Sequence, residues 1–142
     1  NCPGNGAFMT EAAVLRSRAA GTVVFGLFDG LSLCGCIAAK AARPERRGAP
    51  PDAADRGAPP PAVWYLEKLA VLPECRERGF GSALVAHALK HVRHAGAGRV
   101  RIGVIAGNTA LIDWYERRGF RRTETPVFPP LPFTVQYMER VL

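Results

Sequence analysis

The segment Arg76–Ser82, which reads Arg-Glu-Arg-Gly-Phe-Gly-Ser, constrains the fold of this chain more than any other. It follows a β-rich run, Val63–Val71, that Pro73 stops, and it leads into the helical pattern Gly81–Ala95. Its glycines allow a tight turn and the close approach of a ligand to the backbone. The free N–H groups at the start of a helix attract anions, and the two arginines add full charges. The segment therefore predicts a diphosphate cradle, although a plain strand-to-helix turn with solvated arginines would have the same residues.

Two common nucleotide-binding classes are disfavoured by what this segment lacks. A P-loop needs Lys followed by Ser or Thr after its last glycine, and that pair is absent here. A dinucleotide-binding fingerprint needs a third glycine where Leu84 stands. The kind of diphosphate is therefore not decided by the segment alone.

The surrounding patterns predict one mixed α/β (α+β) domain over residues 1–142. The predicted elements are a helix at Thr10–Ala20, a hairpin of Thr22–Phe28 and Leu31–Ala39 that turns at Asp29-Gly30, a strand at Arg99–Ile105, a helix at Thr109–Arg118 capped by Asn108, and strands at Phe120–Val127 and Phe133–Leu142. The stretch Ala42–Ala62 contains six of the 12 prolines and has no apolar periodicity. This composition indicates a mobile loop rich in Pro, Ala and Arg.

Positive charge is concentrated in one third of the chain. Ten Lys and Arg residues but only three Asp and Glu residues lie between Arg76 and Arg122, whereas the remainder has nine of each. This asymmetry is typical of a site for a polyanionic ligand, of a nucleic-acid-binding surface, or of a merely soluble surface. Apolar runs such as Thr22–Phe28 are too short to span a membrane, and no signal peptide is evident. A cytoplasmic protein without a membrane partner is expected.

No metal site is expected from the cysteines and histidines. The four cysteines are Cys2, Cys34, Cys36 and Cys75. They are too few and too scattered for a disulfide framework, and buried core thiols are the favoured interpretation of the apolar Cys-x-Cys pair. His87, His91 and His94 have a spacing that can place imidazoles together on a helix. They lie away from the apolar stripe of that helix, so a solvated face is predicted for them.

A second motif follows the glycine segment. It comprises Asn108 and the run Trp114–Phe120, which reads Trp-Tyr-Glu-Arg-Arg-Gly-Phe. Together the two motifs resemble the signature of the GNAT superfamily of acetyl-CoA-dependent N-acyltransferases, R/Q-x-x-G-x-G/A followed by N-x-x-x-x-x-x-Y-x-x-x-G-F. The resemblance covers Tyr65–Phe120 and extends loosely to the flanking strands.

The resemblance implies a twisted, mostly antiparallel sheet with helices on both faces and central strands that splay to form a CoA slot. Such domains usually have a further strand and helix before the first hairpin. Residues 1–21 are too few to hold all of these elements, so the usual first strand is expected to be missing or replaced by a partner.

The resemblance also implies how acetyl-CoA would be held as co-substrate. The implied cofactor-binding residues are Leu69, Ala70, Val71, Arg76, Arg78, Gly79, Phe80, Gly81, Ser82, Asn108 and Tyr115. The backbone N–H groups of residues 78–82 would bind the pyrophosphate. The backbone of residues 69–71 would pair with the pantetheine arm in a strand opened by a β-bulge. Asn108 would hydrogen-bond the pantetheine region.

Two residues are candidates for the chemistry. An amine that attacks a thioester must lose its proton, and the departing thiolate needs an acid. Tyr115 is the candidate acid, because its phenol can donate to a thiolate near the sulfur; the alternative is a ring packed in the core. Glu67 is the candidate base, since on a regular strand it would share a face with Leu69 and Val71. Family members often have the carboxylate earlier, where this chain has Tyr65, so a solvated glutamate is the alternative.

The function predicted from these residues is acetyl transfer from acetyl-CoA to a primary amine by direct attack in a ternary complex. A non-catalytic acyl-CoA-binding regulatory domain is one alternative. A basic nucleic-acid-binding module is another, because Arg117, Arg118, Arg121 and Arg122 cluster. That module is disfavoured, since no interleaved aromatic pattern for base stacking is present. Binding of the adenosine 3′-phosphate of CoA, or plain solubility, would account for the cluster as well. The acceptor amine and a homodimeric state are left open.

Overall fold

The computed structural model describes residues 10–42, 62–125 and 132–142. Its helices are α1 (Glu11–Ala19), α2 (Phe80–His94) and α3 (Thr109–Glu116), with a short 3-10 turn at Pro73–Cys75. Its strands are β1 (Val23–Asp29), β2 (Ser32–Ala41), β3 (Ala62–Val71), β4 (Ala97–Ile105), β5 (Arg121–Arg122) and β6 (Val135–Val141).

The strands form a six-stranded mixed sheet in the order β1-β2-β3-β4-β6-β5. Only β3 and β4 pair in parallel, and the other described pairs are antiparallel. The parallel pair follows from the crossover through α2, since a strand, a helix and a second strand in one sheet return in the same direction. The predicted mixed α/β class and mostly antiparallel sheet are confirmed.

Local signals account for most element boundaries. Gly30, with φ of 60°, forms the tight β1–β2 turn, and the Asn108 side chain accepts a hydrogen bond from the Leu111 N–H at 3.1 Å as the cap of α3. The predicted strand over Phe120–Val127 is only two residues long within the described residues, although the Thr123 N–H still donates to the Tyr137 carbonyl of β6 at 2.9 Å. Residues 43–61 of the predicted loop lie outside the described residues.

The core lies between the sheet and the face of α2 that carries its apolar stripe. The buried side chains of α2 are Leu84, Val85, Ala88, Leu89 and Val92. They form one cluster with strand residues such as Ile37, Leu66 and Val100 and with Ile112 and Tyr115 of α3. Burial of these apolar side chains is the main stabilising contribution to the fold. Helices α2 and α3 are therefore anchored to a shared core.

The opposite face of the sheet carries charged and polar side chains. Paired residues of neighbouring strands point to the same face, and the register pairs Lys40 with Tyr65, Tyr65 with Arg101, and Arg101 with Glu139. We call Lys40, Tyr65, Arg101 and Glu139 the polar row. It crosses β2, β3, β4 and β6 at the middle of the sheet, and the Arg101 Nε lies 2.9 Å from the Glu139 Oε2.

Of the Cys-x-Cys pair that was predicted to be buried, Cys34 is buried and Cys36 is only half-buried. Cys75 is buried as well, and Cys2 lies outside the described residues. The Leu72 N–H donates to the Cys34 carbonyl at 2.9 Å, and the 3-10 turn then brings Cys75 back onto β2. A hydrogen bond with Cys34, reinforced by burial, raises the pKa of the Cys75 thiol to about 11. The two buried thiols tie the turn before α2 to the sheet.

Cys75 is therefore expected to resist alkylation by iodoacetamide in the folded protein at about pH 8. With its pKa near 11, only about one thiol in a thousand would be thiolate at that pH. Peptide mass spectrometry after a timed reaction measures this, with half-buried Cys36 as the faster internal reference. Equal labelling of Cys75 and Cys36 before denaturation would contradict the buried thiol pair.

Candidate functional site

Strand β3 contains a β-bulge at Lys68. Glu67 pairs with Ala38 and Ala70 pairs with Cys36, so β3 has one residue more than β2 between these pairs. Lys68 is the extra residue, and its φ of 57° is left-handed. The bulge reverses the alternation of side chains, which places Leu69 against the core while Glu67 stays on the opposite face. The expectation that Glu67 shares a face with Leu69 and Val71 is therefore wrong.

The bulge coincides with a divergence of the two central strands. Pairing of β3 with β4 extends only to the Tyr65–Arg101 pair, although both strands continue. On its other side, β3 remains paired with β2 as far as Val71. The β4-facing backbone groups of residues 66–71 consequently have no partner strand in the described sheet. The predicted splay of the central strands is confirmed, and it leaves an open strand edge.

The segment between β3 and α2 ends in an uncapped helix start. Gly79 occupies the cap position with φ of 79°, and no side chain caps the helix. Glu77 is also left-handed, with φ of 61°, which is costly for a residue with a Cβ atom. A Cβ atom at Gly79 would meet nothing within 4 Å, so space lies in front of this turn. Open N–H groups beside open space form the anion-attracting arrangement that the sequence predicts.

The open edge and the helix start border one groove of about 510 Å³. A volume of this size is typical of small-molecule and cofactor sites. Eight of the residues predicted to bind the cofactor line this groove: Leu69, Ala70, Val71, Arg76, Gly79, Phe80, Gly81 and Ser82. Helix α3 closes the groove with Leu111 and Trp114, and the Trp114 ring lies 3.6 Å from where a Cβ atom of Gly81 would be. The structure thus brings together most of the predicted cofactor-binding residues.

Arg78 and Asn108 do not line this groove, and both side chains are engaged elsewhere. The Arg78 guanidinium donates to Asp29 at 2.7 Å and lies 4.6 Å from the centre of the Phe80 ring. This hydrogen bond to Asp29 raises the pKa of Arg78. The side-chain amide oxygen of Asn108 caps α3, which leaves the NH₂ group of the same amide free to donate a hydrogen bond.

Tyr115 lies behind the groove. Its side chain is 6% exposed, and its ring makes edge contacts with Trp114 and Phe120 at centroid distances of 4.9 and 5.3 Å. Burial raises the pKa of its phenol to about 12, against a smaller opposing effect of Arg118. The hydroxyl is therefore protonated at neutral pH, as an acid must be.

Glu67 lies on the opposite face of the sheet, beside the polar row. Its Oε1 is 2.7 Å from the Lys40 Nζ, and the two side chains are 33% and 45% exposed. An ion pair of this exposure contributes little to stability. It nevertheless orients the carboxylate beside the point where β3 and β4 diverge.

Trp114 and Leu111, which line the groove, were not identified as site residues from the sequence, and Arg118 was considered only as part of the basic cluster. A weak signal existed for Trp114 and Arg118, since they are four positions apart, a spacing that places two residues on one face of a helix, although α3 ends at Glu116. The histidines also differ from expectation. The rings of His87 and His91 make edge contacts with the Phe25 ring, with 4.9 and 5.1 Å between the ring centres. This helix face therefore partly packs against β1 instead of being only solvated.

The described residues contain neither a metal-binding cluster nor a membrane-spanning helix. No group of three or more His, Cys, Asp or Glu side chains within residues 10–42, 62–125 and 132–142 could hold a metal ion. In the same ranges, no helix has the length and apolar character needed to cross a membrane.

Comparison with known proteins gives a family and a fold. Residues 5–120 match the sequence model described as the acetyltransferase (GNAT) family. A mycothiol acetyltransferase of Paenarthrobacter aurescens (strain TC1) is 35% identical over 72 residues, which cover 51% of this chain and 22% of that protein. The matched region spans about a fifth to a quarter of the curated relatives, 20% to 24% of their length.

Solved structures share the architecture at low identity. The ribosomal-protein-alanine N-acetyltransferase of Brucella melitensis has a TM-score of 0.68 at 18% identity, covering 91% of this chain and 74% of that one. The PaiA N-acetyltransferase of Thermoplasma acidophilum, in complex with coenzyme A, has a TM-score of 0.67 at 20% identity, covering 91% and 67%. At these identities the similarity concerns the fold.

Proposed function

This chain belongs to the acetyltransferase (GNAT) family, and on that premise we propose that it transfers the acetyl group of acetyl-CoA to a primary amine. The amine would attack the thioester directly while both substrates are bound. The observation that carries the proposal is the groove itself, which joins an uncapped helix start to an open strand edge. The diphosphate and the amide-containing pantetheine arm of CoA suit these two features.

The helix start is the proposed diphosphate site. The backbone N–H groups of residues 79–82 and the positive end of the α2 dipole favour a phosphate there. Arg76 lines the same groove, and its Nε donates to the Val71 carbonyl at 3.3 Å. Its remaining N–H groups are available to phosphate oxygens. This arrangement supports residues 76–82 as the proposed pyrophosphate-binding segment.

The open edge of β3 is the proposed pantetheine site. Ala70 and Val71 stay paired with β2, and no strand pairs with the β4-facing edge of residues 69–71. The Val71 carbonyl accepts a hydrogen bond from the Arg76 side chain. An extended amide chain can add to such an edge as a further strand. The free NH₂ of Asn108 is the proposed partner for a carbonyl of this arm.

The proposed catalytic groups lie on two sides of the sheet opening. Glu67, held by Lys40, is the proposed base that accepts the proton of the attacking amine on the polar face. Free N–H groups of the β3 edge would stabilise the oxyanion. Tyr115 is the proposed acid for the thiolate, because its phenol is protonated at neutral pH and burial extends this form to higher pH. The polar row is the proposed acceptor surface.

Contacts of the arginines speak against the nucleic-acid alternative. Arg122, a member of the cluster on which that alternative rests, donates to the Glu116 carboxylate at 2.7 Å. Arg78 and Arg101 donate to carboxylates outside the basic stretch, at 2.7 and 2.9 Å. Their charges are thus partly neutralised within the domain. A regulatory acyl-CoA-binding domain would share the groove and differ only in turnover.

Acetyl-CoA is expected to raise the thermal unfolding midpoint of this chain by several degrees. A ligand at a hundred times its dissociation constant stabilises the native state by about 2.7 kcal/mol. Differential scanning fluorimetry with and without acetyl-CoA measures the shift. No shift in a folded sample would refute the proposed function.

Turnover then separates the enzyme from the regulatory domain. Release of free CoA thiol, followed with a panel of primary amines against a no-amine control, is expected for at least one amine. A midpoint shift without thiol release from any amine would favour the regulatory alternative.

A further inference from the structure

Arg118 connects α3 to the first turn of α2. Its Nη2 donates to the Ser82 Oγ, its Nη1 donates to the Trp114 carbonyl at 2.7 Å, and its guanidinium carbon lies 3.4 Å from the centre of the Trp114 ring. The Arg118 carbonyl in turn accepts a hydrogen bond from Arg140 at 2.6 Å. These contacts hold the guanidinium in one plane beside the groove wall.

The charge of Arg118 is not neutralised in this position. Arg78, Arg101 and Arg122 each lie within 3 Å of a carboxylate oxygen, at 2.7, 2.9 and 2.7 Å. In the part of the chain that the structure describes, Arg118 has no carboxylate within 4.0 Å. Burial, together with the neighbouring Arg117, lowers the pKa of Arg118, which is the sign expected for a cation without a counter-ion.

A second positive feature lies directly beside it. Ser82 belongs to the first turn of α2, whose N–H groups have no side-chain cap. A half-buried cation next to the positive end of a helix is unfavourable unless an anion joins them. Since the Ser82 hydroxyl accepts from Arg118, its own proton is left for an acceptor. A phosphate oxygen in the groove would satisfy the cation, the helix end and the hydroxyl at once.

We propose that Arg118 is a positioning residue for the diphosphate of the cofactor. It orients the Ser82 hydroxyl toward the phosphate and supplies the positive charge from the α3 side. Trp114 holds the guanidinium in place by stacking, and its ring lies 3.6 Å from where a Cβ atom of Gly81 would be. This inference rests on the proposed function, because it assumes that acetyl-CoA occupies the groove.

Isothermal titration calorimetry tests the role of Arg118. It measures the affinities of three ligands for the wild type and for the variants Arg118→Gln and Ser82→Ala. Acetyl-CoA carries the diphosphate and the 3′-phosphate, its dephospho form carries only the diphosphate, and S-acetylpantetheine carries neither. Arg118→Gln is expected to weaken both diphosphate ligands about tenfold. It should leave S-acetylpantetheine within about twofold of the wild type.

Matched variants sharpen the result. Arg117→Gln removes the same charge from the exposed neighbouring position and is expected to change acetyl-CoA affinity less than about twofold. Arg118→Lys should restore only part of the affinity, because an ammonium group cannot make both hydrogen bonds from a stacked plane. The double variant Ser82→Ala, Arg118→Gln should lose little more than Arg118→Gln alone, since the two groups act as a unit.

Three patterns of lost affinity would overturn the proposal. An equal loss for S-acetylpantetheine would make Arg118 a purely structural residue. A loss confined to acetyl-CoA and absent with its dephospho form would assign the contact to the 3′-phosphate. Additive losses in the double variant would remove the link through Ser82.

The controls keep the result interpretable. If Arg118→Gln does not fold, as judged by its unfolding midpoint without ligand, Ser82→Ala carries the test with the same three ligands and the same expected order. Failure of the wild-type protein to bind acetyl-CoA would refute the proposed function, whereas wild-type binding with unchanged affinity in Arg118→Gln would refute only this inference.

Discussion

Adding one methyl group at Gly35 is expected to destabilise the protein by about 3 kcal/mol. Gly35 is buried on β2 opposite Val71, and a Cβ atom there would lie 2.6 Å from the Ala70 carbonyl oxygen and 3.3 Å from the Val71 Cα. Both contacts are with backbone, which cannot move without breaking the β2–β3 pairing. Ala70 and Val71 also line the groove, so Gly35→Ala is expected to weaken acetyl-CoA binding as well.

Urea unfolding followed by circular dichroism measures the change in the free energy of unfolding. Gly107→Ala is the matched control, because it adds the same atom where nothing lies within 4 Å. Its effect should stay within about 0.5 kcal/mol. Equal stability of the two variants would show that β2 and β3 are farther apart at Gly35 than the structure places them.

Removing the Tyr115 hydroxyl is expected to lower kcat about a hundredfold. Tyr115→Phe keeps the ring and its edge contacts with Trp114 and Phe120, so the core should be preserved. The groove-lining residues are unchanged as well. The KM for acetyl-CoA and the unfolding midpoint should therefore remain close to the wild-type values.

The pH dependence gives an independent test of the same assignment. Because burial raises the pKa of Tyr115 to about 12, the acid form persists through the neutral and mildly alkaline range. The wild-type kcat, measured with the amine found in the panel, should show no alkaline decrease from this group below about pH 10. An unchanged kcat in Tyr115→Phe would remove Tyr115 as the acid, and a parallel rise in KM would assign it to cofactor binding instead.

The loop before α2 was predictable because its determinants are local. Gly79 in a left-handed conformation, the start of α2 and the Asn108 cap depend on residues within one turn of each other. The apolar stripe of α2 likewise predicted which of its side chains are buried. Such features follow from backbone preferences and helical periodicity, which a sequence displays directly.

The position of Glu67 was not predictable in this way. Side-chain alternation along a strand assumes a regular strand, and the bulge at Lys68 breaks it. Lysine has no special preference for a left-handed φ, so no local signal marked this residue. The bulge is set by how β3 aligns with β2, which depends on residues distant in the chain.

The distribution of charge shows the same division. Counting residues located the basic third of the chain correctly, but it could not show which arginines are neutralised. Arg78 forms an ion pair with Asp29 and Arg101 forms one with Glu139. Arg118 belongs to the same basic stretch but forms no ion pair with a carboxylate of the described residues. The first two partners are 49 and 38 residues away.

Family, element order and the anion-attracting turn were thus readable from the sequence, because motifs and periodicities are properties of neighbouring residues. The tertiary structure was needed to establish the strand register and the face that Glu67 occupies. It was also needed to show which arginines form ion pairs and that Arg118 forms none with the described residues. These features depend on which distant side chains the sheet and the α2–α3 contact bring within a few ångströms, where charge and packing interactions act.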